Sequence, residues 1–328
     1  MNVKHPLLAT LVLLPFVSHA GLAERGGLSG EISLIGGVVS TDSNLSTSGN
    51  AIKNTPLNSS GNRETNTIFG PLGKLALTWG EGLNQQIFVG TTREDIAVGT
   101  IALEIGYKHE LASGTQITAA YLPTVLSEEV WSNPYLTDAT RSETDKSGDA
   151  FRLQLNRIAG SPLSLDVAYA QTEIDDEQSG SPGFTVAEQN QLNRAGDTLY
   201  SKVSYRQFLG RGLGVAPAFV YFNHDAEGDA MSYQSLGGEL SYFSFAGRNK
   251  IVLTGKYHAR DYDANHPVFG TTRADKEYGA FLAYEYGQLF DIQPLSFISL
   301  AGYKNIDSNI AFYNASQYLF SLGVSYKF

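Results

Sequence analysis

The 328-residue chain contains no cysteine. That removes a disulfide scaffold, a thiolate zinc site and a thiol nucleophile together. Basic residues are in deficit: 23 Lys and Arg stand against 33 Asp and Glu, a formal charge of −10. A nucleic-acid partner is therefore not expected. Long apolar runs are missing too. No segment after residue 20 approaches the ~18–20 consecutive apolar residues of a spanning helix, and mean hydropathy is −0.15. A soluble secreted protein satisfies this, and so does a transmembrane β-barrel, whose strands are only half apolar.

The first twenty residues read as a secretory signal. Lys4 and His5 form a short basic start, Leu7 to Val17 an apolar stretch interrupted by Pro15, and Ser18-His19-Ala20 a small-x-small cleavage site. The stretch is too short to span a bilayer, and no cysteine follows to carry a lipid anchor. The expected mature chain begins at Gly21. Loss of Lys4 takes its formal charge to −11. Residues 21–328 are expected to form one domain.

What is abundant is Tyr (18), Phe (17) and Gly (34). Aromatic residues suit the interfacial girdles of a barrel. The last fourteen residues carry the pattern most clearly. Tyr318, Phe320, Leu322, Val324, Tyr326 and Phe328 fall on every second position, with Leu319, Ser321, Gly323, Ser325 and Lys327 between them. Alternate residues of a strand point to opposite faces. One face is thus apolar with aromatic residues towards both ends, the other small or polar. A terminal Phe328 with Tyr326 two before it also resembles the signal read by the outer-membrane barrel assembly machinery.

Fourteen strands are expected, near 28–40, 67–79, 85–92, 97–109, 115–126, 148–158, 163–174, 197–208, 213–224, 231–245, 250–262, 274–287, 294–305 and 315–328. Twelve is the alternative if the 85–92 and 97–109 pair is one bent arm. Tyr278, Ala280, Leu282, Tyr284 and Tyr286 alternate with Gly279, Phe281, Ala283 and Glu285. At 294–305 the pattern blurs, with Ile298 and Leu300 competing against Phe297 and Tyr303 for the outer face. Connections alternate in length. Gly80-Glu81-Gly82, Ala112-Ser113-Gly114, Ala159-Gly160-Ser161, Gly210-Arg211-Gly212, Gly247-Arg248 and Phe290-Asp291 are turn-like. Longer polar connections lie at 41–66, 127–147 and 175–196. Counted back from Phe328, every short turn falls at one end of the barrel and every long loop at the other, the division expected of periplasmic turns and outer loops.

Several stretches together resemble a known family: Gly21-Leu22-Ala23-Glu24, Leu28-Ser29-Gly30-Glu31-Ile32-Ser33, the run from Leu83-Asn84-Gln85-Gln86 to Gly99-Thr100, and Asp175-Asp176-Glu177-Gln178-Ser179-Gly180. The family is domain of unknown function 2860, of Gram-negative outer-membrane proteins. The resemblance implies a closed antiparallel outer-membrane barrel and supplies no catalytic motif.

No chemistry-bearing cluster stands out. His109, His224, His258 and His266 are scattered, so no metal site is expected. His224 and Asp225 adjoin at a rim, but strand neighbours point to opposite faces and cannot act as a base and its orienter. Gly210-Arg211-Gly212 is a turn rather than a phosphate loop. Asp175-Asp176-Glu177 lacks the alternating oxygen ligands of a calcium loop. The acidic 127–147 loop, with Glu128, Glu129, Asp138, Glu143 and Asp145, reads as a solvated outer surface. It also offers a place for divalent-cation bridging to lipopolysaccharide. Catalytic residues, metal and cofactor are all expected to be none.

The function these features suggest is passive passage of small solutes, with a structural or adhesive barrel as alternative and a barrel hydrolase third. Partners expected are outer-membrane lipid and lipopolysaccharide, the assembly machinery through Tyr326 and Phe328, and small solutes. The residues expected to line the pore are Glu104, Lys108, Arg152, Lys202, Arg206, Glu239, Lys256, His258, Arg260 and Glu285. A two-residue turn at Gly247-Arg248 makes facing partners sum to 495, so Glu239 faces Lys256, Gly237 faces His258 and Ser235 faces Arg260. Lys256, His258 and Arg260 would then form a positive wall, offset elsewhere by Glu104, Glu239 and Glu285. Leu103, Leu282 and Leu322 are expected on the lipid face near mid-depth.

Overall fold

The computed structural model describes residues 21–92, 95–96, 102–124 and 127–328. The expected signal segment lies outside these residues. Sixteen strands are present among them: β1 Gly27–Thr41, β2 Glu64–Trp79, β3 Gln85–Gly90, β4 Glu104–Glu110, β5 Gln116–Pro123, β6 Glu128–Trp131, β7 Glu143–Asn156, β8 Leu163–Ile174, β9 Gly196–Tyr205, β10 Gln207–Gly210, β11 Leu213–Ala226, β12 Tyr233–Ala246, β13 Asn249–His266, β14 Thr271–Gly287, β15 Leu295–Ser308 and β16 Ala315–Lys327.

Each strand is antiparallel to its neighbour, and the sheet closes on itself. β1 pairs with β2 on one side and with β16 on the other, Ile32 facing both Gly73 and Tyr326. Two strands are not separate staves. β10 continues β9 past Arg206, both pairing with β11, and β6 pairs only with β7 above the wall. The wall therefore has fourteen staves, the number expected from the alternation.

Alternation decides which face is buried. Leu236, Leu240, Leu253, Tyr257, Leu282 and Leu322 are exposed on the outside, whereas Ser235, Thr254, Ser321 and Ser325 are at or below 1% exposure on the inside. An outward apolar band with a polar interior is the arrangement of a barrel in hydrocarbon. At β15 the blurred pattern resolves: Leu300 points inward at 4% exposure and Tyr303 outward. Phe69, Tyr169, Tyr257, Tyr278, Tyr303 and Tyr318 are exposed towards the loop end of their strands; Trp79, Tyr242, Tyr326 and Phe328 are exposed towards the turn end.

Turns and loops sort by end, as expected. The tightest turn joins β12 to β13: Ala246 faces Asn249, and Gly247 takes φ 59. That sets glycine at the first central position of a hairpin turn, where a positive φ matches the strand twist. Others use residues less suited to this region, including Ala159 at φ 52 and Phe290 at φ 54.

Two expectations change. β4 begins at Glu104 rather than 97. Residues 97–101, including Ile101, lie outside those described, and Leu103 precedes the strand instead of sitting within it. The loop end also holds more than a solvated surface: Glu128, Glu129, Asp138, Glu143 and Asp145 are exposed as expected, but apolar side chains pack beneath them. Tyr135, Leu192, Ala230, Met231, Ile310, Phe312 and Tyr313, from four different loops, pack into one buried cluster, joined by Leu57, Val268 and Phe269 from two more. Residues 186–190 of the β8–β9 loop form a short helix, started by Thr185 and Glu188 as a reciprocal capping pair. Scattered apolar side chains within polar loops meet only because the strands bring the loop ends to one place.

Candidate functional site

The barrel interior and its loop cap form the candidate site. Facing residues in β12 and β13 follow the expected register: Glu239 opposite Lys256, Gly237 opposite His258, Ser235 opposite Arg260. The next pairing carries the row on, placing His258 opposite Glu277 and Arg260 opposite Asp275 in β14. Gly237 is required here by close approach. A Cβ at that position would sit 2.3 Å from His258 Nδ1. The His258 ring is 7% exposed and meets the edge of Phe222 at 6.0 Å.

Charge on this wall is compensated locally. Glu239 accepts from Lys202 Nζ at 2.5 Å, two strands away, and lies 3.6 Å from Lys256 Nζ on the other side. Arg260 reaches Glu277 at 3.5 Å and Asp275 at 3.7 Å, its guanidinium over the Tyr233 ring. Glu285 takes Lys327 at 2.9 Å and Lys250 at 3.3 Å. The expected separation of a positive wall from distant carboxylates is thus corrected. Glu239 stands inside the positive row, because inward side chains two strands apart lie within reach of one long lysine.

A second cluster lies across β4 to β8. Arg152 of β7 bonds Asp166 of β8 at 2.5 Å, Asp95 at 2.7 Å, and Glu104 of β4. Asp95 belongs to the β3–β4 connection, so that connection is tied to the inside of the wall. Glu104 is fully buried, and its Oε2 has no hydrogen-bond partner. Three carboxylates share one guanidinium, so removing Arg152 would strand buried negative charge, a change that destabilises by several kcal/mol.

Two expected lining residues fall at the turn end. Lys108 points inward opposite Thr118 and Gln86, both nearly buried. Arg206 lies at the mouth of the turn end rather than deep in the wall. It keeps the inward parity of Lys202 and Ser204, because β9 and β10 pair with β11 in one unbroken register, and it is exposed at the turn-end rim. Tyr326 and Phe328 are exposed on the outer face, and Phe328 exchanges both backbone hydrogen bonds with Gly30.

The other histidines do not assemble with carboxylates. His224 Nδ1 meets Thr198 Oγ1 at 2.9 Å, and His109 stacks on Tyr107. Among the described residues no three His, Asp or Glu side chains are placed to hold a metal ion. Glu177 is engaged by Arg194 at 2.7 Å, with Arg194 also donating to the Trp131 carbonyl.

The cap has a polar centre that sequence reasoning missed. His266 is wholly buried, with Nε2 2.7 Å from Tyr313 Oη and 3.2 Å from Tyr135 Oη. The two phenols are 2.7 Å apart. Arg273 lies over the Tyr313 ring at 3.4 Å and forms an ion pair with Asp275 at 2.7 Å. Burial pushes the Tyr135 phenol up to about 12 and holds that of Tyr313 well above its ordinary value. Neutral phenols are therefore part of the closed cap. Nothing local in sequence marks Tyr135 or Tyr313, which are 178 residues apart.

The sequence matches the family described as "Protein of unknown function (DUF2860)" over residues 27–327. No curated protein matches it. Similar solved structures include OccK3 (OpdO) of Pseudomonas aeruginosa, at 13% identity, 92% of this chain, 95% of that chain and a TM-score of 0.38. A CymD monoaromatic hydrocarbon channel aligns at 9% identity, 93% and 89% coverage and 0.41. An anion-selective porin of Comamonas acidovorans aligns at 10% identity, 92% and 98% coverage and 0.40.

Proposed function

The chain belongs to the DUF2860 family, whose description carries no activity, and we propose from its own geometry that it is a narrow passive channel of the Gram-negative outer membrane for small polar solutes. The observation that carries this reading is the inner wall. Lys202, Glu239, Lys256, Arg260, Glu277 and Glu285 point inward and pair along the wall, leaving a charged, locally neutral lining. Such a lining solvates polar and zwitterionic molecules without attracting one sign of ion strongly. The outward apolar band supports an outer-membrane location, with short turns towards the periplasm and the cap outside. The proposal involves no catalytic step. Exposed Tyr326 and Phe328 are offered to the assembly machinery, and the acidic outer loops to lipopolysaccharide through divalent cations.

The cap makes the channel narrow and gated rather than open. Planar-bilayer recording and liposome swelling test the proposal. Small steps and swelling by glycine-sized zwitterions but not by trisaccharides are expected. A barrel that stays silent, even after its cap is loosened by mutation, would sink it and favour a barrel acting through its loops.

A further inference from the structure

The β1–β2 loop buries two cations that form no ion pair among the described residues. Lys53 is 6% exposed and Arg141, from the β6–β7 connection, 7%. Lys53 Nζ donates to Asn44 Oδ1 at 2.9 Å, Thr55 Oγ1 at 2.8 Å and the Ser59 hydroxyl at 3.2 Å, with the Ser59 carbonyl at 3.4 Å. Arg141 donates to the carbonyls of Asn44, Asn50 and Ala51 at 2.9–3.2 Å and stacks on Trp131. Neither forms an ion pair among the described residues. Nearby Asp42 is already taken by Arg63 at 2.6 Å.

Both cations border a polar pocket of about 40 Å³, together with Ser43, Ser46, Asn54 and Asn62. On this measure it holds about three waters, or one tetrahedral oxyanion. Glu64 also borders it, its side chain packed against Gly49 rather than paired with Lys53. Arg141 has five N–H groups and spends three on the loop carbonyls. Burial depresses the pKa of both cations, and Arg141 adds to the depression of Lys53. An anion between them would relieve both effects.

We propose that this pocket is a binding site for a single phosphate-class oxyanion at the outer surface. It lies in a protein of net charge −10, so long-range attraction does not supply its affinity. The bound group is either free phosphate or sulfate, or the phosphate of a lipid headgroup sugar. The site stands apart from the inner wall and does not depend on conduction.

Isothermal titration of the detergent-folded barrel in gluconate buffer, with inorganic phosphate and separately with glucosamine 1-phosphate, tests this. Saturable one-to-one binding is expected. It should weaken about tenfold or more in Lys53→Met, from loss of one of the two buried positive charges; the free N–H groups of Arg141 supply the direct hydrogen bonds. Asn54→Asp serves as a second variant, since Asn54 is exposed and its change leaves both cations in place. It should weaken binding by repulsion without lowering the melting temperature measured in the absence of phosphate. Tighter binding of the sugar phosphate assigns the headgroup; tighter binding of inorganic phosphate assigns a free anion. Absence of binding by either probe, or equal binding by wild type and Asn54→Asp, would overturn the proposal and leave the two cations as loop fasteners only.

Discussion

Replacing Phe312 by alanine separates the cap from the wall. Phe312 is fully buried and packs against Tyr135, Phe269 and Tyr313 with ring centroids 5.0–5.5 Å apart. Truncating a buried phenylalanine costs about 3–5 kcal/mol, part transfer and part cavity. Its ring partners all belong to loops, so the loss falls chiefly on cap closure. A change of that size shifts the closed-to-open ratio by roughly two to four powers of ten. Wild type should therefore show brief, rare openings in a planar bilayer, and Phe312→Ala frequent or sustained ones. The folded barrel should keep its shifted mobility in unheated gels, because the fourteen-stave sheet is untouched. Limited proteolysis reports the cap directly, with new cleavage expected within 309–314 and 127–142. If cleavage rises and conductance does not, the cap does not govern passage. If the barrel itself unfolds, cap and wall are one cooperative unit, and the separation drawn here is wrong.

Leu282 faces outward between Leu253 and Ala301, so Leu282→Arg should cost roughly 2–4 kcal/mol, whereas inward Ala283→Arg should be milder; equal loss in urea unfolding would mean the faces are reversed. Exchanging Glu239→Lys with Lys256→Glu should recover only part of the stability lost by either single change, because the new lysine meets Lys202; full recovery in a double-mutant cycle would show that Lys202 is not engaged. Raising the pH should open the cap. Since burial holds the Tyr135 phenol up to about 12 against an ordinary 10.0, the neutral phenol's contribution is complete below about pH 10 and is lost as pH climbs through about 12. Conductance that is flat from pH 8 to 12 would exclude this. Ala159 sits at φ 52, and Ala159→Gly should relieve roughly 1 kcal/mol of left-handed strain, measurable as a later unfolding midpoint.

The wall was legible because its rules are local. A two-residue turn at Gly247-Arg248 sets the whole β12–β13 register, and period-two alternation assigns faces even where one strand, β15, is ambiguous alone. The Glu239–Lys256 pair needed only neighbouring strands. Its third member, Lys202, was missed as a partner because the contact skips β11 and depends on side-chain reach over the row between. The cap was not legible. Trp131, Tyr135, Leu192 and the short run Ile310-Ala311-Phe312-Tyr313 lie in otherwise polar loops, without any period, and their contacts span most of the chain. The same is true of Lys53 and Arg141, which look like ordinary surface charges until loop packing buries them.

The seam between β1 and β16 has a consequence for how the molecule is made. Glu31 and Ser325, hydrogen-bonded across it, are 294 residues apart. Every other pair of adjacent staves is joined through at most one loop, so those contacts can form as the chain emerges. The seam cannot, since β16 follows every other strand in the chain. Until β16 is made, β1 presents a bare edge, an open template for pairing with another chain. Loop-closure entropy grows only slowly with length, so the completed seam need not be weak. It forms late, and contacts so distant in sequence form slowly. The chain is thus most prone to aggregate in the interval between synthesis of β1 and synthesis of β16, while β1 lacks its second neighbour.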